Sequence, residues 1–130
     1  MRRLACLLGL LMATALLAAC GGNDEEASAP APDEPTQLDV KVTGAASEPI
    51  RMTLRCGGTC DVAKADEAIK GASDPARACT QQYGGPAEAH ITGTIEGRPV
   101  DATLTRNDGC AIHAYDTFFA AFDRKPPVGG

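Results

Sequence analysis

Four cysteines in a short exported segment constrain this chain more than any other feature. Cys56, Cys60, Cys79 and Cys110 lie in residues 37–130, downstream of what reads as an export leader. An even number of cysteines in an oxidising compartment implies disulfides. A segment of this size buries little surface, so such staples matter to its stability. The 130-residue chain has no Trp, three Phe and two Tyr, which predicts a small and mostly aliphatic core. Four cysteines allow three pairings, of which we expect Cys56–Cys60 and Cys79–Cys110. The first closes a tight loop that Gly57 and Gly58 leave free to bend. Cysteines four apart within one helix point wrongly for a bridge, so Cys56 should end a strand and Cys60 should begin a helix. The second ties the root of a loop to the end of a hairpin and closes a much longer segment, so it should stabilise more.

Residues 1–20 read as a lipoprotein signal peptide. Arg2 and Arg3 precede an apolar run over residues 4–17, the length of a signal h-region and short for a membrane span. The run ends in Leu17-Ala18-Ala19-Cys20, similar to a bacterial lipobox, which makes Cys20 the expected site of lipidation. The competing readings are a plain secretory signal cut after Ala19 and a retained membrane anchor. Lipidation implies a membrane anchor on the outer face of a bacterial cell membrane. Residues 21–36 are acidic and rich in Ala and Pro, with no large apolar side chain. They read as a disordered linker that lifts a domain off the lipid surface.

Residues 37–123 are expected to form one α+β domain, followed by a flexible, Pro- and Gly-rich tail over 124–130. Ten Lys and Arg against twelve Asp and Glu leave residues 37–130 at a net charge of −2. No basic stripe with interleaved aromatics is present, so nucleic acid is not an expected partner. Leu38, Val40 and Val42 alternate with Asp39 and Lys41, and Ile50, Met52 and Leu54 alternate with Arg51 and Thr53, predicting an antiparallel hairpin. Residues 61–70 read as a helix capped by Thr59 or Asp61, with Gly71 at its C-terminus. A further helical turn is expected before Cys79. Residues 89–95 and 100–104 alternate around the turn Glu96-Gly97 and predict a second hairpin. Residues 111–116 read as short and irregular or helical. Residues 117–122 read as a fifth strand, with Phe118 and Phe122 on one side and Phe119 on the other.

The candidate functional segment is Cys79-Thr80-Gln81-Gln82-Tyr83, followed by Gly84-Gly85-Pro86. A cysteine pins its root and a glycine–proline bend ends it, leaving a short extended stretch suited to display. Catalysis has no support: no Ser, His and acid share a recognised motif, and no glycine-rich phosphate cradle opens a helix. Ser47 and Ser73 read as turn residues. Cys56-x3-Cys60 with a distant histidine could suggest a thioredoxin-like copper site. His90 falls on a polar strand face and His113 in a turn, however, and the βαβ pattern of that fold is missing. No metal or cofactor is expected.

In order, Thr53-Leu54-Arg55-Cys56, Ala78-Cys79 with Tyr83 and Pro86, Thr92-Gly93-Thr94, Gly97-Arg98-Pro99-Val100, Arg106, Asn107, Cys110 and residues 117–122 resemble the Streptomyces subtilisin inhibitor-like family. The resemblance covers residues 38–122. It implies a five-stranded antiparallel sheet with two helices, two disulfides, and inhibition of serine proteases by a substrate-like loop. By residue position it places Cys79 at P3, Thr80 at P2, Gln81 at P1, Gln82 at P1′ and Tyr83 at P2′, with Gln81–Gln82 as the scissile bond. The partner it implies is a subtilisin-like or trypsin-like protease, and it admits a homodimer. Two features depart from the family: the first disulfide loop is much shorter, and P1 is glutamine. An apolar or cation-seeking pocket would leave that amide unpaired, at about 1–3 kcal/mol. The alternative is therefore a non-inhibitory envelope binding or structural lipoprotein on the same scaffold.

Overall fold

The computed structural model describes residues 35–129. The expected signal peptide, the expected lipidation site Cys20 and the expected linker through residue 34 lie outside the described residues. The order of elements is β1 (Gln37–Thr43), β2 (Ile50–Arg55), α1 (Val62–Ala72), β3 (Glu88–Ile95), β4 (Arg98–Leu104) and α2 (Gly109–Ala121). The strands form one antiparallel sheet in the order β2-β1-β3-β4. The first strand is therefore central, with Val40 opposite both Met52 and Ile91. The turn between β3 and β4 holds Glu96 at φ 48° and Gly97 at φ 74°. Two successive left-handed residues are what a tight two-residue hairpin turn requires, and glycine adopts that region without strain.

Alternation divides the sheet into two faces. Leu38, Val40, Val42, Leu54, Ala89, Ile91, Ile95 and Leu104 are buried, whereas Asp39, Lys41, His90, Asp101 and Thr103 are exposed. The apolar face and the helices share one core, and within it Tyr115, Phe118 and Phe119 are fully buried. Each such side chain contributes roughly 2–3 kcal/mol through the apolar surface it removes from water.

Among the described residues the expected fifth strand is absent: residues 117–122 belong to the end of α2 and its cap, and the sheet there has four strands. The reason is visible once residues 111–122 are taken as one continuous window. Tyr115, Phe118, Phe119 and Phe122 recur at helical spacing and form one stripe, which a strand would have split between two faces. Ring centroids along the stripe lie 5.0–5.5 Å apart. The core is correspondingly more aromatic than composition suggested, because four of the five aromatic residues sit on this one stripe. His113 consequently lies on a helix rather than in a turn.

Asp61 and Asp108 cap the two helices, accepting from the backbone N–H of Lys64 at 3.0 Å and of Ala111 at 2.8 Å. Each side chain satisfies a donor that the first turn leaves free. The helix α1 runs through Gly71 to Ala72 and is capped at Ser73 rather than ending at Gly71. Pro75 and Ala76 form a turn and residues 77–85 have no regular structure, so a turn and not a helix precedes Cys79. Asp66 on α1 receives Arg98 of β4 at 3.1 Å, as well as Lys70. Partial burial opposes its ionisation, but the hydrogen bonds and charges of Lys70 and Arg98 outweigh this and hold its carboxyl below the usual range.

Both ends of the domain are tied down further out than the sequence suggested. Thr36, assigned to the linker, is buried. Its hydroxyl accepts from Glu96 N–H at 3.1 Å and its carbonyl from Cys56 N–H at 3.1 Å. In the C-terminal tail, the Pro127 carbonyl accepts from the Tyr115 hydroxyl at 2.7 Å.

Candidate functional site

The segment after α1 crosses the end of the sheet without regular structure, and Thr80, Gln81, Gln82 and Tyr83 are exposed along it. Tyr83 is 67% accessible, an unusual position for a large aromatic side chain. Two anchors hold this segment, one on each side.

The upstream anchor is built on the start of α2. Cys79 is bonded to Cys110, with Cα atoms 5.4 Å apart. Immediately beside it, Gly109 N–H donates to the Thr80 carbonyl at 2.9 Å. The approach is so close that a Cβ at Gly109 would lie 2.0 Å from the Thr80 hydroxyl oxygen.

The downstream anchor is Arg106, in the connection between β4 and α2. Gly84 N–H donates to the Arg106 carbonyl at 2.8 Å, and Arg106 Nε donates to the Gly84 carbonyl at 2.9 Å. Both polar backbone groups of Gly84 are thus held by one residue. The Arg106 side chain is only 11% exposed. Its Nη1 pairs with the Asp116 carboxylate, and its guanidinium lies 5.1 Å from the centre of the Tyr115 ring. Burial pushes the Tyr115 phenol up to about 12, with Arg106 opposing and Asp116 adding to the shift.

Between the anchors lie Gln81, Gln82 and Tyr83. Among the described residues, no hydrogen bond engages their backbone. A segment whose backbone N–H and C=O groups make no hydrogen bond can pair with a partner's strand, while its side chains enter the partner's pockets. The segment 80–83 itself carries no charged side chain.

The other residues singled out in the sequence lie elsewhere or are chemically committed. Cys56 is bonded to Cys60 in the connection between β2 and α1, and this bridge is separate from the loop. Cys79, Asp108 and Cys110 bring one atom each within 4.8 Å of one another, a spacing compatible with metal binding. Two of those atoms are the disulfide sulfurs, which are not thiolate ligands. His90 lies on the open sheet face near Thr103, and His113 is on α2 near Thr117. The structure does not bring the two histidines together with a cysteine pair. Gly109, Arg106, Tyr115 and Asp116 were not singled out as site residues from the sequence. No sequence signal marks Arg106, because its partners Gly84 and Asp116 lie 22 and 10 residues away.

The fold and the loop together define a class: a disulfide-stapled α+β domain that displays a doubly anchored, uncharged segment. No protein-family model and no curated protein matches the chain. Among the described residues, no helix is long and apolar enough to cross a membrane.

Proposed function

We propose that the protein is a membrane-tethered, extracellular inhibitor of serine proteases, related to the subtilisin inhibitor-like family, and not an enzyme. Cys20 carries the lipid anchor at the outer face of the bacterial membrane. Cys79 to Tyr83 form the reactive loop, with Gln81–Gln82 as the bond offered to the protease. The observation that carries this reading is the pair of anchors flanking an exposed segment of three residues. Ordering a backbone residue costs roughly 1–2 kcal/mol. A loop already fixed on both sides avoids much of that cost on binding.

Gln81 enters the primary pocket of the protease and limits affinity through its amide. The test is inhibition of a panel of subtilisin-like and trypsin-like enzymes by the wild type, Gln81→Met and Gln81→Lys. The methionine variant is expected to tighten binding to subtilisin-like enzymes and the lysine variant to favour trypsin-like ones. Each change should be on the order of 1–3 kcal/mol, the scale of an unpaired buried polar group. A folded, correctly bridged protein that inhibits nothing, with or without these substitutions, would move the reading to a non-inhibitory envelope binding protein. A mature N-terminus without lipid, seen by mass spectrometry, would refute the anchor.

A further inference from the structure

Residues on one helix govern both ends of the displayed loop. Gly109 and Cys110, at the start of α2, hold Thr80 and Cys79. One to two turns further on, Asp116 and Tyr115 fix the Arg106 side chain, whose Nε holds Gly84. Ile112 fills the space beside Gly84, where a Cβ would meet its Cγ1 at 2.6 Å. Cutting a bond between residues 81 and 82 would therefore leave both new ends attached to the same rigid element.

We propose that Arg106 is a positioning residue that keeps the segment after Gln81–Gln82 in place once that bond is cut, so that the bond is resealed; this rests on the inhibitory reading of the loop. The chemistry defines what must be held. The protease serine oxygen adds to the Gln81 carbonyl, the C–N bond breaks, and the Gln82 amine leaves with a proton. The acyl-enzyme ester then has two fates. Water can attack it, giving a Gln81 carboxylate and a free serine. Alternatively, the Gln82 amine attacks the ester carbon, expels the serine oxygen and gives up its proton to it, restoring the peptide bond. The second fate needs the amine to stay within reach. Only Tyr83 separates Gln82 from the clasped Gly84. An amine on so short a stub has a high effective concentration at the ester, so resealing outcompetes escape. The disulfide holds the acyl side alone and does nothing for the amine side. Arg106 supplies the missing half through a charge-assisted hydrogen bond at a site largely shielded from water.

The experiment uses the full chain, purified with both disulfides formed, together with whichever panel protease it inhibits most tightly. Arg106→Gln removes the Nε donor and the charge. Arg106→Lys retains a cation for Asp116 but has no Nε–H, which separates the clasp from the ion pair. Initial inhibition, melting temperature and the ratio of cut to intact protein after prolonged incubation are measured for each. Both variants are expected to lose some initial inhibition, because the loop is less ordered beforehand, and a larger share of its durability. Their cut-to-intact ratios should rise roughly ten- to hundredfold, the effect of losing one charge-assisted hydrogen bond. In cut wild-type protein the Gly84 amide, which donates to the Arg106 backbone carbonyl, should stay protected from hydrogen exchange, and in cut Arg106→Gln it should exchange faster. Unchanged cut-to-intact ratios in folded variants, or a freely exchanging Gly84 amide in the cut wild type, would overturn the role of Arg106 while leaving the inhibitory reading intact. A wild type that no protease recognises, or that is cut as an ordinary substrate, would overturn that reading and this inference with it.

Discussion

Removing each disulfide in turn tests whether the two bridges have unequal work, and the structure sets the expected ratio. Cys79–Cys110 spans a sequence separation of 31 and Cys56–Cys60 a separation of 4. In the chain-entropy model, restricting the unfolded chain stabilises by about 4 kcal/mol for the long loop and about 2 kcal/mol for the short one. Cys79 is exposed and Cys110 half-buried, so replacing both with alanine leaves little cavity and the entropic contribution dominates. Cys60 is partly buried against the core, so its replacement loses some packing as well. Even so, Cys79→Ala/Cys110→Ala is expected to cost more than Cys56→Ala/Cys60→Ala. A domain of this size loses roughly 4–8 °C of melting temperature per kcal/mol. The long bridge should therefore account for ~15–30 °C and the short one for ~8–15 °C. Urea and thermal unfolding, followed by far-ultraviolet circular dichroism, measure both double variants against the wild type. Equal losses, or a larger loss from the short bridge, would refute the loop-closure reasoning.

Gly109→Ala should displace the loop without unfolding the domain, because its Cβ would sit 2.0 Å from the Thr80 hydroxyl. Faster proteolysis at residues 80–83 with a melting temperature within a few degrees of wild type is the expected result, and unchanged proteolysis would contradict it. The Tyr115 phenol, pushed up to about 12 by burial from an ordinary 10.0, is harder to ionise in the folded chain than in the unfolded one. Its contribution is thus complete below about pH 10 and disappears as pH rises towards 12, on the order of 2 kcal/mol. Tyr115→Phe should be about 1 kcal/mol less stable at pH 7, having lost the bond to Pro127, yet should lack this alkaline loss. Parallel stability curves for the two proteins between pH 9 and 12 would exclude that account.

The strands were legible because each places its apolar residues on one face, as in Leu38, Val40 and Val42, and tight turns separate them. The last element was misread because residues 117–122 satisfy two periods at once. Phenylalanine favours strands, and Phe118 and Phe122 share a face under alternation as well as in a helix. Tyr115 breaks the tie, but only if the window begins before Thr117. For the loop, the cysteine and the glycine–proline bend marked its ends at the level of sequence. Its downstream anchor was not legible in the same way. Arg106 and Gly84 are 22 residues apart, and the hairpin that joins them is what brings their backbones together. Asp116 and Tyr115 likewise acquire a role only once α2 is recognised as a helix that runs beneath the loop.

The central position of β1 has a consequence for how a tethered molecule would stand on a surface. The chain enters the sheet at Gln37, beside Thr94 and Arg55, and Thr36 is fastened to the β3–β4 turn. The displayed segment lies at the other pole, where Leu104 pairs with Ala89 and Arg106 comes two residues later. Roughly 20 Å of strand separates the two ends. The point of attachment and the point of display are thus diametrically opposed. If Cys20 carries the proposed anchor, residues 21–35 can span at most about 50 Å between it and the domain. A domain pulled taut from an anchor at Cys20 would stand upright with its loop outermost. A bulky enzyme could then reach the loop from above without pressing against the lipid or lifting the domain aside.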